Sequence, residues 1–171
     1  PPSLLRVSCA DQQAVQGHVK VLLSAPGVLS SLSLLHNYLC DSIDLPPPRR
    51  RVKVVEVVEE RARDGLLLQL LSKHHKSRKN RVLVFGLYKK ECARLEMSLR
   101  KNGWACAAVH GDKGQREREE AVNAFKAGTA PLLIATDVAA RGLDIPDVEV
   151  VINYSFPLTI EDYVHRIGRT G

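Results

Sequence analysis

Residues 131–144 read PLLIATDVAARGLD. The opening half is a short uncharged run of Leu, Ile and Ala, the length and composition of a strand buried on both faces. It passes without a spacer into Thr136-Asp137, two alanines, Arg141, Gly142 and Asp144, so a buried strand would deliver its end directly into a polar, glycine-containing turn. The same form recurs on both sides. Val52–Val58, Arg81–Gly86, Ala105–Val109 and Glu149–Asn153 are short runs rich in Val, Leu, Ile or Ala. Between them the apolar period lengthens to that of a helix. Tyr88, Cys92, Leu95 and Leu99 fall on one helical face while Lys89, Lys90, Arg94 and Arg100 cover the others. Gln115–Ala127 predicts a second helix with Ala121, Val122 and Phe125 inward and a stop at Gly128. Thr159, with Asp162 three residues on, predicts a capped third helix that buries Ile160, Tyr163, Val164 and Ile167. This alternation predicts an α/β fold, a doubly wound and mostly parallel sheet with helices on both faces. Ligands in such sheets collect at the C-terminal ends of the strands.

The chain has 171 residues and 18.9 kDa, the size of one compact domain. Its 44% hydrophobic and 26% charged residues are those of an ordinary globular chain, and disorder throughout is excluded. No apolar run reaches the roughly 18–20 residues of a membrane span and the first residues lack a signal-peptide pattern, so a soluble, intracellular chain without a membrane partner is expected. The net charge of +6 favours a polyanionic partner or serves solubility alone. Cys9, Cys40, Cys92 and Cys106 are scattered without a C-x-x-C pair, which points to reduced, buried thiols and no metal site. Composition shifts near Arg51. Residues 1–51 hold six of the nine prolines, including the block Pro46-Pro47-Pro48-Arg49-Arg50-Arg51, and are expected to form a partly disordered extension or linker. The rest, 52–171, is expected to be the folded domain. Within Val21–Leu45 the apolar residues of VLSSLSLLHNYL have the spacing of one amphipathic helix.

Three loops after the expected strands are loaded with polar groups. HGDKGQRER, starting at His110, enters a helix whose first turn offers free N–H groups beside Gln115, Arg116 and Arg118; it suits a phosphate, or Asp112 caps the helix and the arginines are solvated. Thr136 to Asp144 supplies a hydroxyl, a glycine and a carboxylate, fit for a phosphate and a sugar hydroxyl, or an ordinary turn with Asp144 on the surface. HRIGRTG, starting at His165, carries Arg166 and Arg169 three apart, able to reach a phosphate or to satisfy a helix end.

In this order, and with VLVF at Val82–Phe85 before them, the three loops resemble the second RecA-like motor domain of DEAD-box ATP-dependent RNA helicases. The likeness runs from about Val52 to Gly171 and rests on VLVF, Q-x-x-R at Gln115 and Arg118, TDVAARGLD and HRIGRTG. His165 separates the chain from DEAH helicases, which generally place Gln there. The resemblance implies that Gln115, Arg118, Thr136 and the backbone at Gly142 hold RNA through its phosphates and sugars, without reading sequence. It implies that Asp144 accepts from the ATP ribose, that Arg169 reaches the γ-phosphate, that Arg169 and His165 serve catalysis, and that Arg141 and His165 couple the nucleotide to the partner domain. It also implies ATP with Mg2+, bound mainly by an N-terminal RecA-like domain as partner. Basic runs at Arg49–Arg51 and Lys76–Arg81 fit a nuclear or nucleolar protein, or are solvated faces, with the cytoplasm the alternative residence.

The departures are as definite. The sequence has no G-x-x-x-x-G-K-[ST] loop and no D-E-A-D tetrad, so the phosphate cradle and the magnesium carboxylates are not in it. It is expected to be inactive by itself, a fragment or truncated form whose rival reading is a non-catalytic RNA-binding or interaction module. Residues 17–51 have no counterpart in the family pattern. Gly17-His18-Val19-Lys20-Val21 and Arg51-Val52-Lys53-Val54-Val55 are similar enough to suggest an insertion by alternative splicing or a retained intron, with a family-specific insert the competing explanation.

Overall fold

The computed structural model describes residues 6–8, 19–24, 52–145 and 148–169. Seven strands form one sheet: β1 Arg6–Ser8, β2 Val19–Ser24, β3 Val52–Val57, β4 Val82–Gly86, β5 Cys106–Val109, β6 Leu132–Thr136 and β7 Val150–Asn153. Their order is β1-β3-β2-β7-β4-β6-β5. Every neighbouring pair is parallel except β1 with β3. The helices are α1 Arg63–His74, α2 Lys89–Lys101, α3 Gln115–Lys126, the single turn α4 Asp137–Ala140, and α5 Ile160–Ile167. A 3-10 turn at Glu60–Ala62 leads into α1.

Alternation along each strand divides the core in two. Val82 and Val84 of β4, with Leu132, Ile134 and Ile152, meet Leu67, Leu71, Cys92, Leu95 and Leu99 of α1 and α2. Leu83 and Phe85, with Leu133, Ala135 and Val151, meet Ala121, Val122 and Phe125 of α3 and the alanines of α4. The central strands are buried on both sides, and the α/β sheet with helices on both faces is as expected. Gly86 is required by close approach: a Cβ there would lie 2.7 Å from the Cys92 Sγ, so β4 and α2 could not pack as they do.

Several local expectations change. Tyr88 is not part of the inner stripe of α2; it is the residue before the helix and is 64% exposed. The inward face of α5 is also turned from the expected one. Ile160 and Val164 are exposed, while Tyr163, Arg166 and Ile167 are buried. The Thr159 cap is as expected, its hydroxyl accepting from the Asp162 N–H at 3.0 Å. Asp112 does not cap α3. Gly114 precedes the helix and its N–H donates to the Glu117 carboxylate at 2.8 Å, while Asp112 pairs with Lys89.

The composition break at Arg51 does not mark an edge of the sheet, since β1 and β2 lie before it and β2 separates β3 from β7. The expected helix over VLSSLSLLHNYL, the proline block and Cys9 and Cys40 fall outside the described residues. Strands β2 and β3 pair with Val19 opposite Val52, Lys20 opposite Lys53 and Val21 opposite Val54, so the two Val-Lys-Val copies lie in register. Cys92 and Cys106 are free and buried. Burial pushes the Cys92 thiol up to about 12 and raises that of Cys106.

Candidate functional site

The loops singled out by sequence follow β5, β6 and α5. Those after β5 and β6 leave the C-terminal end of the sheet, and α5 folds back over the turn after β6.

The loop after β5 starts at His110, which is 5% exposed with no partner for its Nδ1. Burial, then the neighbouring Lys113, keeps this imidazole below its ordinary pKa and so neutral. Four and seven residues on, Gly114 and Glu117 meet at the start of α3, where the Glu117 carboxylate accepts from the Gly114 N–H. In the first turn of α3 the Arg118 guanidinium donates to the Gln115 side-chain oxygen at 2.7 Å, and Gln115 Nε2 donates to Glu119 at 2.7 Å. The Arg118 Nε is buried and unpartnered. An orphaned donor beside a helix start is the chemistry an anionic oxygen satisfies. Gln115 and Arg118 are thus brought together, as expected, and Arg116 pairs outward with Glu120.

After β6, Thr136 is buried at the strand end and its side chain does not cap α4. Arg141 is exposed and paired to Asp162 at the start of α5. Gly142 has φ +75° with open space where a Cβ would go, so conformation and not crowding selects glycine. Asp144 is on the surface, 2.9 Å from the Lys126 ammonium.

Arg169 lies beyond α5 and reaches back over this turn. Its guanidinium donates to the carbonyl oxygens of Ala140 at 3.0 Å and Leu143 at 3.1 Å, which sets it beside the segment carrying Asp144. His165 is exposed on α5.

Arg166, by contrast, does not face a ligand. It is 1% exposed and makes paired 2.6 Å hydrogen bonds to the Asp137 carboxylate, with further bonds to Asn153 Oδ1 and the Ser155 carbonyl. Its guanidinium also sits 5.0 Å from the Phe85 ring centre. Sequence reasoning missed this hub. The signal was present as an Asp directly after a strand end and an Arg on the inward side of the last helix.

A second network was also unforeseen. The Tyr154 hydroxyl donates to Asp64 at 2.6 Å, and Arg94 donates to both Tyr154 and Asp64. The Arg94 guanidinium holds the Asp64 carboxyl below its ordinary range, and burial pushes the Tyr154 phenol up to about 12. These residues line a cleft of about 540 Å³ with Glu59, Arg61 and Glu91. Among the described residues no group of three His, Cys, Asp or Glu stands close enough to hold a metal ion, and no helix is long and apolar enough to cross a membrane.

Residues 62–171 match the helicase conserved C-terminal domain. The chain belongs to that family. It is 62% identical over 130 residues to DEAD-box ATP-dependent RNA helicase 5 of Arabidopsis thaliana, covering 76% of this chain and 24% of that protein. It is 58% identical over 125 residues to ATP-dependent RNA helicase DBP3 of Saccharomyces cerevisiae, covering 72% and 24%. This helicase domain therefore spans about a quarter of the length of the curated relatives it matches. Among solved structures, the E. coli DEAD-box protein SrmB, bound to regulator of ribonuclease activity A, superposes with a TM-score of 0.62 at 26% identity, over 93% of this chain and 72% of that one. The C-terminal domain of the DEAD-box protein Dbp5 gives 0.57 at 33% identity, over 66% and 64%. The doubly wound sheet of the helicase domain is the fold these neighbours share.

Proposed function

We propose that this chain is the second motor domain of an ATP-dependent RNA helicase, gripping RNA along its backbone and completing a nucleotide site formed with an N-terminal RecA-like domain. In this reading 52–171 is the domain proper and 1–51 an extension that adds two strands to its sheet. The observation that carries the proposal is Arg169 laid on the carbonyls of Ala140 and Leu143, next to Asp144. Two groups distant in sequence, a guanidinium for a phosphate and a carboxylate for a sugar hydroxyl, share one turn.

The roles follow from the chemistry of each group. Arg118 Nε and His110 Nδ1 are unsatisfied buried nitrogens at one edge of the site; Arg118, with Gln115, Thr136 and the Gly142 backbone, would hold phosphates and ribose without reading bases. The ATP fits this chain only in part: Asp144 and Arg169 suit its ribose and terminal phosphate, and no described cluster suits Mg2+. ATP bound there would supply the phosphoanhydride bond that is hydrolysed. Arg141, tied to Asp162 of α5, and exposed His165 on the same helix would pass the nucleotide state toward the partner domain. Because the phosphate cradle is not in this sequence, the chain alone hydrolyses no ATP. An RNA substrate together with the basic runs supports residence in the nucleus or nucleolus.

Phosphate release at saturating ATP and RNA tests the reading, comparing this chain, the full-length parent and the parent with Arg169→Ala. The parent should turn over, the Arg169→Ala parent should lose on the order of 10³ in rate, and the chain alone should be silent. An Arg169→Ala parent as fast as the unaltered one overturns the assignment.

A further inference from the structure

The motif loops occupy the C-terminal end of the sheet, and a second concentration of positive charge occupies the opposite end. As α1 finishes, residues 73–81 read KHHKSRKNR, with Lys or Arg at 73, 76, 78, 79 and 81 and no carboxylate. The segment is held firmly. Arg78 has φ 54°, a left-handed conformation costly for a long side chain, and its guanidinium lies 4.6 Å from the Trp104 ring centre while donating to the Gly103 carbonyl at 2.7 Å. His75 packs on the same Trp104 ring, and Asn80 ties the loop through the His75 Nδ1 and the His74 carbonyl. These contacts join this loop to the one between α2 and β5, next to exposed Lys101 at the end of α2.

Lys73, Lys76, Arg78 and Lys79 are exposed and none pairs with a carboxylate of the described residues. Of the neighbouring acids, Glu96 on α2 is shared by Lys113 and Arg100, and Glu149 accepts from the Arg81 backbone N–H rather than from any of these four side chains. Nor does the face offer what a protein partner needs, an apolar centre. The large exposed apolar residues, Tyr88, Met97, Val138, Leu158, Ile160 and Val164, all lie outside residues 73–81 and 100–104. Unneutralised cations on a fixed loop, without an apolar centre, complement a phosphodiester chain.

We propose that the face built by Lys73, Lys76, Arg78 and Lys79 is a second backbone-binding surface, which takes phosphates of an RNA extending beyond the motif loops. The choice of RNA rests on the function proposed above; the charge itself specifies a phosphodiester chain.

The test uses the 171-residue chain and a labelled 40-nucleotide single-stranded RNA, with affinity measured by fluorescence anisotropy from low to moderate salt. The paired substitution Lys76→Gln and Lys79→Gln should leave the melting temperature unchanged and lower the slope of log affinity against log salt by about 1.4, two contacts at roughly 0.7 each. Lys76→Arg with Lys79→Arg should restore it. Combining the glutamines with Arg118→Ala should add the two losses, as separate faces require. An unchanged slope in the glutamine pair, or losses that fail to add, overturns the proposal. Displacement of the RNA by polyglutamate as readily as by unlabelled RNA also overturns it, in favour of an acidic protein partner. If Arg118→Ala alone changes nothing while the glutamine pair weakens binding, the motif-loop reading fails and this face stands.

Discussion

Arg166 and Asp137 are joined by two parallel hydrogen bonds of 2.6 Å, at a place where the arginine is 1% exposed. The pair binds α5 to the turn after β6, the two segments that carry most of the candidate site. A bidentate guanidinium-carboxylate pair fixes both distance and orientation, so the placement of Arg169, three residues further on, depends on it.

Removing one partner leaves the other charge buried and alone. Arg166→Ala should destabilise the chain by about 3–5 kcal/mol in urea unfolding, and Arg166→Lys should recover only part because an ammonium cannot form the paired contact. Loss of less than 1 kcal/mol for Arg166→Ala would show that the pair does not hold α5.

RNA binding through the motif loops should register at Arg118, whose Nε is without a partner. Arg118→Ala should flatten the salt dependence of single-stranded RNA binding by about 0.7, one contact, with the circular dichroism spectrum unaltered. An unchanged slope removes Arg118 from the interface.

Stability should fall as the pH drops below about 6.5. His74, His75 and His110 all sit below their ordinary pKa chiefly because burial disfavours the charged ring. The unfolded chain then takes up protons first, so stability is complete above the unfolded value and declines as pH falls through it toward the folded values. Urea midpoints at pH 8 and pH 5.5 measure this, and His75→Gln should shrink the difference. Equal midpoints in the unaltered chain contradict it.

Thiol chemistry offers a check on packing. With its pKa pushed up to about 12 and its sulfur in the core, Cys92 should resist iodoacetamide at pH 8 in the folded chain and react in denaturant. Mass spectrometry of the peptide containing Cys92 reads the outcome; rapid labelling of the native chain would mean that α2 is not docked on β4.

The strands β4 to β7 and the loops after them were legible because their signals are local: short apolar runs, period changes, and polar clusters directly after them. What escaped depended on partners far along the chain. The spacing of α5 offered Ile160 and Val164 as core, yet the inward position is taken by Arg166, which becomes acceptable there only because Asp137, Asn153 and Ser155 converge on it. Asp112 looked like a helix cap until Lys89, from another element, claimed it. Arg94, Asp64 and Tyr154 come from α2, α1 and the segment after β7, so their network had no signature in sequence.

The in-register Val-Lys-Val strands make one rung of the sheet redundant. β2 offers Val19, Lys20, Val21 and Leu22 to β7, and β3 begins with the same three residues followed by Val55. Excising residues 19–51 would set Val52 directly after His18, so β3 could move one place inward and meet β7 through an almost identical ladder. β1, already antiparallel to β3, would travel with it, and the ten residues left between them suffice for an antiparallel connection. The shortened chain should therefore close its sheet with six strands and melt within a few degrees of the longer one, whereas a collapse of its cooperative transition would show that the two copies are not interchangeable. A chain built in this way tolerates the gain or loss of a strand at a single point, and its motif loops, anchored on β4 to β7, need not register the change.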